Sequence, residues 1–209
     1  MSLPPPTLDI ERSLSGPGTS IVAGIDEAGR GPWAGPVVAA AVILNPDDIP
    51  AGLADSKTIA EKKRDLIAAD IRARAQVGVG VASVEEIDAL NILQATFLAM
   101  ARAEAALPLK PHICIVDGSQ KPKLRAATHM VVKGDAKSLS IAAASIIAKT
   151  VRDGMMRALA EEHPFYAWEK NKGYGAPAHR EGLERHGVTP HHRKSFAPIH
   201  NMLCDEPAR

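Results

Sequence analysis

No run of this sequence is long and apolar enough to span a bilayer. The longest uncharged apolar stretch, residues 36–44, falls far short of the ~20 residues a spanning helix needs, so a membrane-embedded role is excluded. Cysteine is nearly absent. Cys114 and Cys204 cannot build a disulfide framework, and a reducing cytoplasm is the expected compartment. The first eighteen residues lack the apolar core of a secretory signal, and Pro4-Pro5-Pro6 with Gly16-Pro17-Gly18 makes residues 1–19 a flexible leader. Aromatic residues make up only 3% of the chain, so Tyr174, set between two glycines, stands out as a group presented from a loop. An excess of one charge is missing too: the net charge is +1. The halves nevertheless differ, residues 1–109 carrying −5 and residues 110–209 carrying +6. The second half is the candidate polyanion-binding half. At 209 residues the chain suits one domain with a substantial core and a small appendage.

Two apolar runs, residues 20–25 and 36–44, are closed by turn residues and read as buried strands. Thr58 and Glu61 form a capping-box pattern that opens a helix reaching about residue 75, with Ile59, Leu66, Ile67 and Ile71 near one face. Residues 76–82 alternate Val with Gly, a third strand whose glycines imply close backbone packing. Ser83 and Glu86 repeat the capping pattern ahead of a helical stretch through residue 107, broken near Asn91 and stopped by Pro108 and Pro111. Strands at 112–116 and 128–132 follow, then a long Ala/Ile-rich helix at 138–162 that His163-Pro164 terminates. Beyond residue 165 the chain is loopier, with one helix near 178–186. This mixture predicts an α/β domain whose strand directions periodicity leaves open.

Three apolar runs end in acid: Asp26 with Glu27, Asp117, and Asp135. Taken singly, each is a turn former or helix cap. Together, carboxylates at strand ends can meet at one sheet edge, where mutual repulsion raises their pKa values unless cations neutralise them. Hard oxygen donors of this kind suit Mg²⁺ or Mn²⁺, and two such ions can drive an in-line phosphoryl displacement. Adjacent strand residues point to opposite faces, so joint use of Asp26 and Glu27 predicts a bend, which residues 29–32 would allow.

At this point the sequence resembles bacterial ribonuclease HII. The stretch GIDEAGRGPWAGPVVAAAVIL (residues 24–44) is similar to that family's signature. Asp55-Ser56-Lys57, Asp117-Gly118, Lys133-Gly134-Asp135, SIIAKTVRD (145–153), Lys172-Gly173-Tyr174-Gly175 and HRKSFAPI (192–199) resemble its later motifs in order and spacing. A set of dispersed motifs is far more specific than any one of them. The resemblance covers about residues 20–200. It implies a ribonuclease H-like fold, a mixed five-stranded sheet flanked by helices, over residues 20–163, with a small helical substrate-binding part at 164–209. It implies metal ligation and catalysis by Asp26, Glu27, Asp117 and Asp135, and ribonucleotide reading by Gly29, Arg30, Gly31 and Tyr174. It further implies hydrolysis of RNA in RNA–DNA hybrids, cleavage 5′ to single ribonucleotides in duplex DNA, and a place in ribonucleotide removal.

The residue chemistry agrees. Only the 2′-hydroxyl separates RNA from DNA at a given site, and glycines permit the close backbone approach needed to read it. The Tyr174 ring can stack on a sugar. Lys149 and Arg152, three apart on one helix face, and Lys57 are candidate phosphate contacts. Residues 134–138 lack the glycine that a nucleotide-binding lysine needs before it, and His179, His186, His191, His192 and His200 show no zinc-ligand spacing. Cys114, in mid-strand, reads as an inert buried thiol. The competing readings are a DNA nuclease or transferase on the same fold, and a module that binds hybrids without cutting. Nothing in the sequence demands more than a monomer, and the tails are candidate contacts for a replication factor.

Overall fold

The computed structural model describes residues 5–15 and 21–205. Five strands form one sheet: β1 (Val22–Ala28), β2 (Val37–Ile43), β3 (Gln76–Ala82), β4 (Ile113–Asp117) and β5 (Ala127–Val131). Their spatial order is β3-β2-β1-β4-β5, with β2 antiparallel to both β1 and β3, and β4 parallel to both β1 and β5. The mixed five-stranded sheet flanked by helices is therefore present, and the strand directions left open by the sequence are settled.

The helix of residues 138–162 is α5 (Leu139–Glu162), begun by the Ser138 hydroxyl, which accepts from the Ile141 N–H at 3.1 Å. Its Ala/Ile face and α2 (Glu61–Arg74) cover one side of the sheet through Ala40, Val42, Ile71, Ile146 and Ile147. On the other side α3 (Val84–Leu90) and α4 (Ile92–Ala105) bury Ile25, Ala39, Ile87, Ala99 and Ala103. Gly78 and Gly80 let α4 approach closely, since a Cβ at either would fall on the carbonyl oxygens of Ala103 and Ala99. The Ser83–Glu86 capping box forms with both its bonds, and Asn91, at φ 69°, breaks the stretch while its Oδ1 caps Leu93 and Gln94.

Several expectations are corrected. Thr58 and Glu61 do not cap α2. The helix starts after Ala60, while Thr58 donates through its N–H and Oγ1 to the Asp55 carbonyl, because an Asp55 turn takes that stretch instead. The inward face of α2 is Arg64, Ile67, Ala68 and Ile71; Leu66 lies across the helix from it and is 74% exposed. Residues 5–15 of the leader carry defined structure. They form α1 (Asp9–Leu14), bury Leu8, and join the start of α5 through Thr7, whose N–H donates to Lys137 O and whose carbonyl accepts from Leu139 N. Glu11 Oε1 accepts from the Ser138 hydroxyl (2.6 Å) and the Ser140 N–H (2.9 Å). A helix N-terminus has unpaired donors and a positive dipole end, and a carboxylate answers both. The rest of the leader, residues 1–4 and 16–19, lies outside the described residues.

The C-terminal stretch holds three helices rather than one: α6 (Trp168–Asn171), α7 (Pro177–His186) and α8 (Ala197–Asp205). Their apolar centre, Tyr166, Trp168, Leu183 and Ile199, packs on Ala34 and on Met156 and Ala160 of α5. This packing joins the C-terminal stretch to the β1–β2 connection.

Candidate active site

β1 stays regular to its end. Asp26 pairs with Ala40, Glu27 with Ala39 and Ala28 with Val38. The chain turns just beyond β1, at Gly29, whose φ is 98°, within the 29–32 stretch expected to allow a bend. Asp26 and Glu27 lie on the part of β1 that runs past its last partner pair with β4 while still paired with β2, and a cavity of about 290 Å³ there is lined by both. In the parallel β1–β4 pair Ile25 lies opposite Val116, so the next residues along, Asp26 and Asp117, emerge side by side. Asp117 lines the same cavity and its Oδ1 accepts from Gly134 N at 2.6 Å. That bond ties β4 to the 3₁₀ turn Gly134–Ala136, which carries Asp135. Asp135 is therefore a turn residue beyond β5; it does not line the cavity but stands close enough to feel the charges of Asp117, Asp55 and Lys57.

Burial, then the charges of Glu27 and Asp117, hold the Asp26 carboxyl well above the ordinary carboxylate range. Burial also raises Glu27; Arg30, 3.4 Å away, counters this and Asp117 adds to it. Burial and Asp117 raise Asp135. An all-oxygen donor set whose members raise one another's pKa values fits a hard divalent cation, which relieves that repulsion. The four acids do not close to within 4.8 Å as a set. Among the described residues the group that does is Glu162, His163 and His191, at the C-terminal end of α5, where sequence spacing gave no hint of it.

The reading groups also meet here. Gly29, Arg30, Gly31 and Tyr174 line the cavity, the tyrosine is 50% exposed, and a Cβ on Gly31 would sit 3.4 Å from its ring. Gly29 is confined both by its φ and by Arg152, whose side chain occupies the space a Cβ would take. Lys57 is exposed at the cavity. Lys149 lines it too, but is anchored by Asp153 at 2.7 Å, a carboxylate that also pairs with the buried Arg64 at 2.9 Å.

Arg152 is corrected. It is 1% exposed and its guanidinium is spent on the carbonyls of Pro36 (2.9 Å), Lys172 (2.9 Å) and Ala34 (3.1 Å), so it holds backbone and is not a free phosphate contact. Ser56 and Ser145 were missed. Their hydroxyls bond at 2.8 Å in the cavity wall, and the Ser145 hydroxyl is near enough to Asp26 to oppose the rise that burial imposes on its pKa. Ser145, four residues before Lys149, shares its helix face, and that spacing is the signal that could have found it. Cys114 is buried, with its thiol pushed up to about 12 by burial and Glu104, as an inert thiol should be.

Residues 23–199 match the family described as Ribonuclease HII. The chain is similar to the ribonuclease HII of Jannaschia sp. strain CCS1, 54% identical over 200 residues, 95% of this chain and 98% of that protein. Its fold is similar to the ribonuclease H2 of Pyrococcus horikoshii OT3 (TM-score 0.74, 28% identity, 87% of this chain and 96% of that one). It is also similar to the ribonuclease HII solved in complex with PCNA from Archaeoglobus fulgidus (TM-score 0.72, 29% identity, 87% and 96%).

Proposed function

The chain belongs to the ribonuclease HII family and is a ribonuclease H, and from that premise we propose that it cuts duplex DNA on the 5′ side of an embedded ribonucleotide, as well as the RNA strand of hybrids. The observation that carries this is the meeting of Asp26, Glu27 and Asp117 with Gly29, Arg30, Gly31 and Tyr174 around one cavity. Asp26, Glu27, Asp117 and Asp135 would hold Mg²⁺ or Mn²⁺. When bound, the ion supplies a nucleophilic water and neutralises charge on the leaving oxygen, giving 3′-hydroxyl and 5′-phosphate ends. The protein's part is to place the scissile phosphate against these acids. Gly29, Arg30 and Gly31 present backbone at the 2′-hydroxyl, Tyr174 stacks against the sugar at the junction, and Lys57 and Lys149 steady phosphates. Residues 20–163 form the catalytic body and 164–209 the substrate-binding part.

Such an activity places the enzyme in ribonucleotide removal, working in the cytoplasm on replicated DNA. Among the described residues no helix is long and apolar enough to cross a membrane. The partner reading is a monomer that meets a replication factor through its tails, whose last residues, 1–4 and 206–209, lie outside the described ones. The Archaeoglobus fulgidus relative in complex with PCNA supports the class of partner.

The test is turnover of three duplexes, all-DNA, hybrid, and DNA with one ribonucleotide, with Mg²⁺, Mn²⁺ or chelator. The reading requires metal-dependent cutting of the second and third, with the third cut 5′ to the ribonucleotide. Cutting of all-DNA duplex would instead make it a general nuclease. Asp117→Asn should lower kcat by at least a thousandfold while duplex binding survives.

A further inference from the structure

Two buried guanidiniums lie beneath the 29–31 loop, and no step of the proposed chemistry uses them. Arg193 is 0% exposed. Its Nε donates to Gly35 O (2.9 Å), its Nη1 to Arg30 O (2.9 Å), and its Nη2 to Gly29 O (2.6 Å) and Pro36 O (3.2 Å). All four acceptors belong to the β1–β2 connection, and the Arg193 N–H donates to a fifth carbonyl there, that of Trp33, at 2.8 Å. Arg152 grips the same connection at Ala34 and Pro36, and reaches Lys172 in the Tyr174 loop.

Among the described residues neither guanidinium forms an ion pair. Burying an ion whose company is carbonyls and, for Arg193, the Phe196 ring 5.0 Å from its Cζ, with no carboxylate paired to it, is costly, so a side chain kept in that state must hold something that matters. Burial and the neighbouring Arg152 push Arg193 down to about 9, which still leaves it cationic at neutral pH.

What it holds follows from peptide geometry. In a trans peptide the carbonyl and the next N–H point in opposite directions, and no cis bond occurs among the described residues. The Gly29 and Arg30 carbonyls turn toward Arg193, so the Arg30 and Gly31 N–H groups turn away from it. Neither N–H has a hydrogen-bond partner among the described residues, and both residues line the cavity. The preceding residue fixes the other reading loop. His192 Nε2 lies 3.0 Å from His179 Nε2, which also accepts from Trp168 Nε1, and His179 Nδ1 donates to Tyr174 O at 2.9 Å.

We propose that Arg193 is a positioning residue for ribonucleotide discrimination: by holding the Gly29 and Arg30 carbonyls it leaves the Arg30 and Gly31 N–H groups free for the substrate's sugar and phosphate. This rests on the 29–31 loop being the ribonucleotide reader. A side chain that only supported the fold would change stability. Arg193 should change selectivity.

The experiment uses the full chain with saturating Mn²⁺, the duplex bearing one ribonucleotide, and an all-DNA duplex as competitor. Arg193→Lys keeps the charge and loses the fork; Arg193→Gln loses both. Both variants should raise KM for the ribonucleotide duplex at least tenfold, change kcat less than threefold, and leave the inhibition constant of the all-DNA duplex unchanged. Hydrogen exchange should accelerate in residues 29–36 and not in β4. Folded variants with wild-type KM and wild-type exchange overturn the proposal, as does a fall confined to kcat. If neither variant folds, ¹⁵N-labelled wild type decides. The Arg193 Nε–H must be protected from exchange, and the Arg30 and Gly31 amide resonances must shift with the ribonucleotide duplex but not with all-DNA; failure of either overturns the role. Should wild-type enzyme fail to cut at the ribonucleotide, the function reading falls before any variant is judged. If it cuts and the variants match it, only the role of Arg193 falls.

Discussion

Asp26 is 6% exposed, beside two other acids, and its carboxyl is held well above the ordinary range by burial first and then by Glu27 and Asp117. A carboxyl whose pKa is higher folded than unfolded favours the folded state only while protonated. Its contribution is full below the unfolded value of about 3.9 and is lost as pH rises through the raised folded value. At neutral pH without metal, the cluster is therefore a source of instability. Asp26→Asn should melt higher than wild type in chelator, by about 2–4 °C for each ~1 kcal/mol of repulsion relieved. Divalent metal should then raise the melting temperature of wild type and not of the variant. A variant that melts lower in chelator would contradict this account. His192 works with the opposite sign. Burial, then His179, push it down to about 3, with His191 and His163 adding to this and Thr189 opposing it. The unfolded chain thus binds a proton that the folded one refuses, and stability should fall by up to ~1.4 kcal/mol per pH unit below about 6.5. Denaturant melts between pH 4 and 7 should show a smaller slope in His192→Gln.

The elements differ in how openly the sequence declares them. β3, α5 and the Ser83 cap were legible because periodicity and capping chemistry are local. Ser83→Ala should cost about 1 kcal/mol without changing kcat, as a melt and a turnover assay would show together. The segment α1 was not legible. Six residues between proline- and glycine-rich flanks carry no helical period, and their order comes from Glu11 answering the open donors at the start of α5. Glu11→Ala should destabilise by roughly 1–3 kcal/mol and leave the KM of the ribonucleotide duplex unchanged. Thr58 and Glu61 show the converse, a capping pattern that is legible and unused, because the Asp55 turn satisfies Thr58 first.

For the molecule as a whole, cations from both halves of the chain reach one cavity, Arg30 and Lys57 from the first and Lys149 from the second. Duplex affinity should fall steeply with salt, and Lys57→Ala should reduce the slope of log affinity against log salt by about 1. Titrations between 50 and 300 mM salt measure it, and an unchanged slope would remove Lys57 from the phosphate contacts.

By itself the sequence determined the α/β class, most strand and helix positions, and which acids, glycines and tyrosine to expect at one site. Those facts are written in local pattern and in motif. Only the tertiary structure decided that strand register sets Asp26 beside Asp117, and that the Arg152 guanidinium is taken up by the carbonyls of Pro36, Lys172 and Ala34. It alone revealed the clamp of Arg193. A buried guanidinium finds its partners among carbonyls more than 150 residues away along the chain, and no local spacing encodes an interaction that exists only once the chain has closed around it.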